Sequence, residues 1–465
     1  MTRVRVAVLA AATLLVLVAA RSDFWPGLRG PAPYPPEWQW GFEPKRVDAR
    51  GLAPVVLLAA GLLGLVALSR RAASARWSRV GLLAGATFLG WGWQLALLDL
   101  EPAGAAAELE RRTVSGSFTS HFKVAAGVED AGDFLSRHHE LLPHFRHGAL
   151  HSATHPPGPV LYYLGLLRLA PRVPWAAEAF GGPHRAAAIV GGALLGLLGA
   201  AACFPAAALA GAIGAGTAAS LRAGVLWTLV PGLCLMAPEL DQAVALPVAG
   251  AVAMIAAAVT SNAGRPFSRA VAAGLLTGAA AFFSYGAPLL VALGALAVIA
   301  PALGTREARP RAALVAAVAA AVAVACFLLP ALLGHHPLAS AATALAIHRE
   351  QFTARRSYAV WLPFNLIDIA VFLGVPVVLL GAWGPRTPFR LTAAGGVLAL
   401  VASGLIRGEM GRILVPLMPV LLVACVAWPP RAAAAQGEPS TPSALVLAAL
   451  LAVSDVVLRL SWELP

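Results

Sequence analysis

The stretch VGLLAGATFLGWGWQLALL, Val80 to Leu98, decides the fold. It carries no charge over nineteen residues. At 1.5 Å rise per residue such a helix covers about 28 Å, the thickness of a bilayer's hydrocarbon core. Arg79 precedes it, and Asp99-Leu100-Glu101 follows it. The two ends therefore differ in charge, as expected of a helix with one end in the cytoplasm and the other outside it.

Reading outward, the same pattern repeats through the chain. Apolar segments of comparable character run over 6–20, 51–68, 158–170, 186–203, 204–220, 223–237, 243–259, 270–284, 287–303, 312–333, 358–380, 391–406, 413–428 and 444–458. Of the 465 residues, 59% are hydrophobic and only 12% charged, with a mean hydropathy of +0.76. A water-soluble globular domain carries about twice that share of charge. The expected fold class is thus all-α, a polytopic transmembrane helical bundle of about 13–15 spans. Three parts are expected: spans 1–79 with a Pro/Trp-rich loop, a membrane core 80–303 containing the large loop 99–157, and C-terminal spans 304–465 with the loop 334–357.

The 34 basic residues exceed the 22 acidic ones by 12. They are dispersed arginines between apolar runs, without aromatic interleaving, so the balance fits short membrane loops and not nucleic acid. Placing residue 1 inside puts Arg70, Arg71, Arg76 and Arg79 in one cytoplasmic turn, and Arg265, Arg269, Arg306, Arg309, Arg311, Arg386 and Arg390 in later ones. The first segment reads equally as a cleaved signal peptide. Seventeen of the 22 carboxylates and ten of the 11 histidines then fall outside, His184 and Glu178 being assigned inside. Alanine, glycine and arginine richness points to a bacterial inner membrane with a periplasmic working face. The four cysteines lie in apolar runs without metal-ligand spacing. Residues 430–443 read as a flexible cytoplasmic linker.

The loop 99–157 is the richest in chemistry. Ser117–Ala126 and Asp133–Leu142 have helix-compatible spacing with one apolar side, so they are expected along the membrane surface. The loop closes with His151-Ser-Ala-Thr-His155-Pro-Pro-Gly158. A proline opening a helix leaves unpaired N–H groups and a positive dipole for an anion such as a lipid phosphate. In the loop 21–50, Trp25, Tyr34, Trp38 and Trp40 read as an interfacial belt with capacity for stacking on sugars, and Asp23 and Glu37 as reserve bases.

A membrane helix ending in acids, an amphipathic outer loop, His155-Pro-Pro157 opening the next helix, an Arg-containing turn and an Ala/Gly-rich span together resemble the GT-C superfamily of integral-membrane glycosyltransferases. The resemblance covers residues 80–300, with weaker support to 430. It implies an enzyme that transfers a sugar from a polyprenyl-phosphate donor to a periplasmic glycan, lipid or protein acceptor. Its catalytic carboxylate would match Asp99 or Glu101, with His121 as a substitute. The family's adjacent acids before an aromatic surface helix are replaced here by Thr119-Ser-His-Phe122.

Such chemistry needs a base for the acceptor hydroxyl and cations for the leaving phosphate. The candidate phosphate ligands are His151, His155, Arg349, Arg355, Arg356, Arg407 and Arg412, with Glu409 orienting the arginines. Glu239 and Asp241 start the span from 243, where the helix dipole favours acids; they are candidates for an acceptor hydroxyl or a divalent metal ion. The rival readings are a transporter or flippase of a lipid-linked glycan, which needs ionisable groups at mid-membrane such as Asp368 or Asp455, and a non-catalytic cell-envelope assembly protein.

Overall fold

The computed structural model describes residues 3–31, 37–47, 49–116, 118–260, 264–428 and 440–464. Tyr34 and most of the expected linker 430–443 lie outside the described residues. The chain is helical almost throughout, with one two-residue strand pair joining Gly41–Phe42 (β1) to Trp462–Glu463 (β2). The expected all-α polytopic bundle is what forms.

Among the described residues, nine helices are long and apolar enough to cross a membrane. They are Arg3–Ser22, Arg50–Ala72, Arg76–Leu98, Pro183–Ala212, Thr217–Leu235, Leu240–Thr260, Pro266–Phe283, Arg309–Leu333 and Thr441–Arg459. A tenth is possible by composition, because Pro337–Thr353 and Tyr358–Leu373 pass the same test together but are bent by 96°. Ala287–Leu303, Pro388–Ser403 and Val415–Val426 are shorter apolar helices.

Two differences, involving three of the fifteen expected segments, change the course of the chain, and they compensate in parity. Residues 186–203 and 204–220 were expected as separate passes. Instead Pro183–Ala201 and Cys203–Ala212 continue each other across Ala202, and both pack along Leu240–Thr260. Residues 158–170 were expected to cross, but Gly158–Leu169 is only 12 residues long. At about 18 Å it is too short to span hydrocarbon. Its last turn stays with the loop 99–157, since Arg168 donates to the Glu129 carbonyl at 2.7 Å.

The start of the next helix lies there too. Arg185 pairs with Glu110 at 2.9 Å, and the His184 ring meets Phe122 edge-on at 4.8 Å. Glu178 and His184 therefore sit on the same face as the loop 99–157, contrary to the sequence assignment. All 11 histidines then share that face, and the parity of every later span is unchanged.

The packing that positions this face uses small residues, which let helices approach in the absence of a hydrophobic drive within lipid. Along helix 183–201, a side chain at Gly192 would meet Pro238 and Thr113 at 3.0 Å, and one at Gly196 would meet Gln94 at 2.7 Å. This glycine stripe draws the start of the 240–260 helix, the 76–98 helix and the loop helix Ala105–Val114 onto one another. Polar contacts then set the register. Trp93 donates to Asp455 at 2.9 Å, and Gln242 donates to Gln94 at 3.0 Å.

The revised course of the chain is testable by labelling. With the four native cysteines removed, single cysteines at the exposed positions Glu129 and Glu178 should react with a membrane-impermeant maleimide from the same side. Labelling from opposite sides would restore 158–170 as a crossing.

Candidate functional site

The turn Arg407-Gly-Glu-Met-Gly-Arg412 leaves a helix that ends at Ser403 and enters the short helix Met410–Ile413. It cannot be built from ordinary backbone. Gly404, Gly408 and Glu409 have φ of 64°, 96° and 59°. Glu409 thus sits in the left-handed region, which disfavours a residue with a side chain by about 1–2 kcal/mol. Specific contacts hold it there. Asn365 accepts from the Gly408 amide at 3.1 Å and donates to Ile406 O at 2.9 Å. Asp368 accepts from the Gly411 amide at 2.6 Å and from the Trp40 indole at 3.2 Å. Arg356 donates to the Arg407 carbonyl at 2.6 Å, and Arg407 returns a bond to the Arg356 carbonyl at 2.7 Å.

The consequence is the placement of Arg412. Its guanidinium, 14% exposed, lies 2.5 Å from the Glu409 carboxylate and 3.7 Å from that of Glu239, which is 6% exposed. Arg356 meets Glu409 from the other side at 3.3 Å. Burial alone would raise the Glu409 carboxyl, but Arg412 and Arg356 outweigh it and bring it down to about 2. Glu239 has the opposite outcome. Burial pushes it up to about 7, the attraction of Arg412 being too distant to compensate and Asp241 and Glu409 adding repulsion. Two carboxylates against one arginine are thereby driven apart, one permanently charged and one poised near neutrality.

The histidines of the loop enter from the side of 121–155. His121 shares a hydrogen bond with the Ser152 hydroxyl at 3.1 Å, and its ring meets that of His155 edge-on at 5.0 Å. His155 is held through Nδ1 by the His151 carbonyl at 2.7 Å. Burial, the neighbouring imidazoles and Arg412 all disfavour their charged forms. His151 is lowered to about 4 and His155 to about 3, burial being the largest cause in each. His121 is also held well below the usual range. Two donor-capable atoms here, Arg412 Nε and His151 Nδ1, are buried without a hydrogen-bond partner.

Of the residues singled out from sequence, His121, His151, His155, Arg356, Glu409 and Arg412 converge with Glu239, Asp241 is close enough to feel Arg412, and Arg407 stands behind them on the Arg356 carbonyl and the Tyr358 ring. The others lie elsewhere. Asp99 is exposed and accepts from the Ala105 amide at 3.1 Å, so it closes the turn before the helix 105–114. Glu101 is buried among Lys45, Arg112 and Arg459. Arg349 and Arg355 are exposed. Trp38 and Trp361 flank the Arg356 guanidinium, each ring centroid 5.8 Å away, while Glu37 accepts from the Ser357 amide at 2.7 Å and from the Trp361 indole.

A metal does not fit the residues present. Glu239 and Asp241 face a guanidinium, and among the described residues no group of three or more His, Cys, Asp or Glu side chains is placed to hold an ion. Sequence reasoning missed the support Asn365, took Asp368 only as a mid-membrane group of the transport reading, and missed a second imidazole cluster in which His138 meets His335 and His139 meets His336 at ring separations of 5.5 and 4.7 Å. The only advance signal for the supports was that polar residues inside an apolar segment require partners.

No protein-family model matches the chain, and no curated protein matches it in sequence. In solved structures the chain is similar to ArnT from Cupriavidus metallidurans in the apo state, at 16% identity and a TM-score of 0.46, over 83% of this chain and 77% of that one. A likeness at that level concerns the course of the chain; what the chain does is read from its own side chains.

The titrations predict an acid-labile site. His151 and His155 are neutral in the folded protein until about pH 4 and 3, whereas an unfolded histidine takes up its proton near 6.5. Their stabilisation is present above 6.5 and lost as the pH falls through that interval, on the order of 3 kcal/mol for His151. Glu409 adds a loss between 4.5 and about 2, while the raised Glu239 acts in the opposite direction between 4.5 and about 7. Thermal unfolding in detergent should show Tm dropping steeply from pH 6.5 to 4, and less steeply in His151→Asn. A flat Tm over that range would contradict the burial of these rings.

Proposed function

We propose that the chain is a membrane glycosyltransferase that moves a sugar from a polyprenyl-phosphate donor onto an acceptor hydroxyl at the face bearing its histidines, with that face periplasmic in a bacterial inner membrane. The observation that carries the reading is the pair Glu239 and Arg412. A carboxylate poised near pH 7 lies 3.7 Å from a guanidinium, both side chains largely withdrawn from water. That is the combination of base and phosphate cation that such a transfer requires. The resemblance of His155-Pro-Pro157 and its flanking segments to the GT-C superfamily points the same way.

In this reading Glu239, rather than Asp99 or Glu101, takes the proton from the acceptor hydroxyl. As the oxygen forms its bond to the anomeric carbon, the bond from that carbon to the phosphate oxygen breaks. The departing polyprenyl phosphate keeps the electron pair, and Arg412 stabilises the charge that develops on it. Arg412 Nε and His151 Nδ1, buried and unpaired in the protein, are available to the phosphate oxygens. A buried donor without a partner costs about 1–3 kcal/mol, and an anion bound there relieves it. Arg356 holds Glu409, and Glu409 holds Arg412, so the cation faces the ligand in one orientation.

The transport reading draws less support from the two acids inside the spans, each of which has a structural partner. Asp368 is occupied by the Gly411 amide and Trp40, and Asp455 accepts from Trp93.

Transfer assays in proteoliposomes with polyprenyl-phosphate sugars test the proposal. Glu239→Gln should reduce kcat by about 100-fold or more, while Asp99→Asn stays near wild type. Because the base works only as a carboxylate, log kcat/KM should rise with unit slope up to about pH 7 and level off above it. Full activity of Glu239→Gln would remove the proposed base, and lipid movement without transfer would return the transporter.

A further inference from the structure

Glu101 follows shortly after the segment that decides the fold, and its surroundings are those of a hub. Its carboxylate is 7% exposed and meets Lys45 at 2.8 Å, Arg459 at 3.3 Å and Arg112 at 3.4 Å, cations that are themselves 6%, 0% and 2% exposed. Two of these continue to the turn that presents Glu239. Arg459 donates to the Leu235 carbonyl at 2.7 Å, and Arg112 donates to the Ala237 carbonyl at 3.2 Å. Those carbonyls lie four and two residues before Glu239. Arg112 is also paired with Glu108 at 3.0 Å.

A buried cation is tolerated only where a carboxylate meets it. Without the charge of Glu101, Arg459 would lose the carboxylate it meets, Arg112 would keep Glu108 and Lys45 would keep Glu43 at 3.9 Å, and the repulsion among the three cations would pull Arg112 and Arg459 from the carbonyls they hold. Lys45 extends the hub, donating to the Arg459 and Trp462 carbonyls at 3.2 and 3.3 Å, next to the β1–β2 pair. The last helix and the strand after it are thus tied, through one carboxylate, to the turn carrying the base.

We propose that Glu101 is a positioning residue: through Arg112 and Arg459 it holds the backbone of residues 235–238, and so sets where the Glu239 carboxylate stands relative to Arg412. Its catalytic half rests on the assignment of Glu239 as the base; its structural half does not.

Two readouts on the full-length protein in lipid nanodiscs separate those halves. Glu101→Gln keeps the shape and removes the charge. Hydrogen exchange of the amides at 235–242 should accelerate, with 356–368 unchanged. A misplaced base costs turnover more than binding, so kcat should fall about 100-fold while the donor KM holds, and Glu101→Asp, which keeps the charge, should recover much of the loss. Should Glu101→Gln fail to fold, Arg459→Lys keeps the cation but shortens its reach to Leu235, and should loosen the same amides. Unchanged exchange at 235–242 in the variants that fold overturns the proposal. So does a KM that rises in step with a fall in kcat. Faster exchange together with an active Glu239→Gln would uphold the link and sink the catalytic reading instead.

Discussion

A guanidinium largely withdrawn from water must be met by charge, and Arg412 is the group whose accommodation organises the site. Glu409 lies against it and Glu239 stands a little farther off. The unequal distances matter more than the count. The nearer acid is locked in its ionised form, while the farther one is left with burial as its dominant influence. Had both acids been equally close, neither would be poised to exchange a proton near neutrality. The geometry that produces this inequality lies in the backbone of the 404–412 turn, with its left-handed Glu409.

That turn is expensive to form and is supported from distant parts of the chain. Asn365 and Asp368 come from the helix 358–373, and Trp40 comes from the loop before the second span. Trp40 packs on Phe372, which in turn faces Trp462 beyond the last helix. On the opposite side, the Glu101 hub holds the turn before Glu239 using Lys45, Arg112 and Arg459. The two loops that face each other across Arg412 and Glu239 are therefore buttressed by the same region, where the N-terminal loop meets the residues after 459. Buried polar groups tied to several partners make a rigid platform, and a base must be held to within a fraction of an ångström to be useful.

The legible part of this design was its coarse layout. Apolar runs such as 80–98 announced helices, dispersed arginines announced one face, and the acids and imidazoles announced the other. The misreadings came where length was the discriminating variable. Residues 158–169 are rich in Leu but too short to span, and the continuous helix 183–212 looked like two because Ala202 to Pro205 interrupts it. The candidate residues showed the same division. His155, Arg356, Glu409 and Arg412 were singled out by type and side and lie together, whereas Asp99 was put ahead of Glu101, since an acid at a helix end looks the same whether it caps a turn or anchors three cations.

What the sequence determined by itself was the solvent of each segment, because transfer free energies into lipid add along the chain and need no knowledge of neighbours. What only the tertiary structure decided was which charges meet. Glu101 is joined to Arg459 across 358 residues and Glu239 to Arg412 across 173, and the protonation preference of a buried acid depends on those partners and on the water excluded around them. Such pairings leave no periodicity in the chain. They exist only once the helices have closed over them.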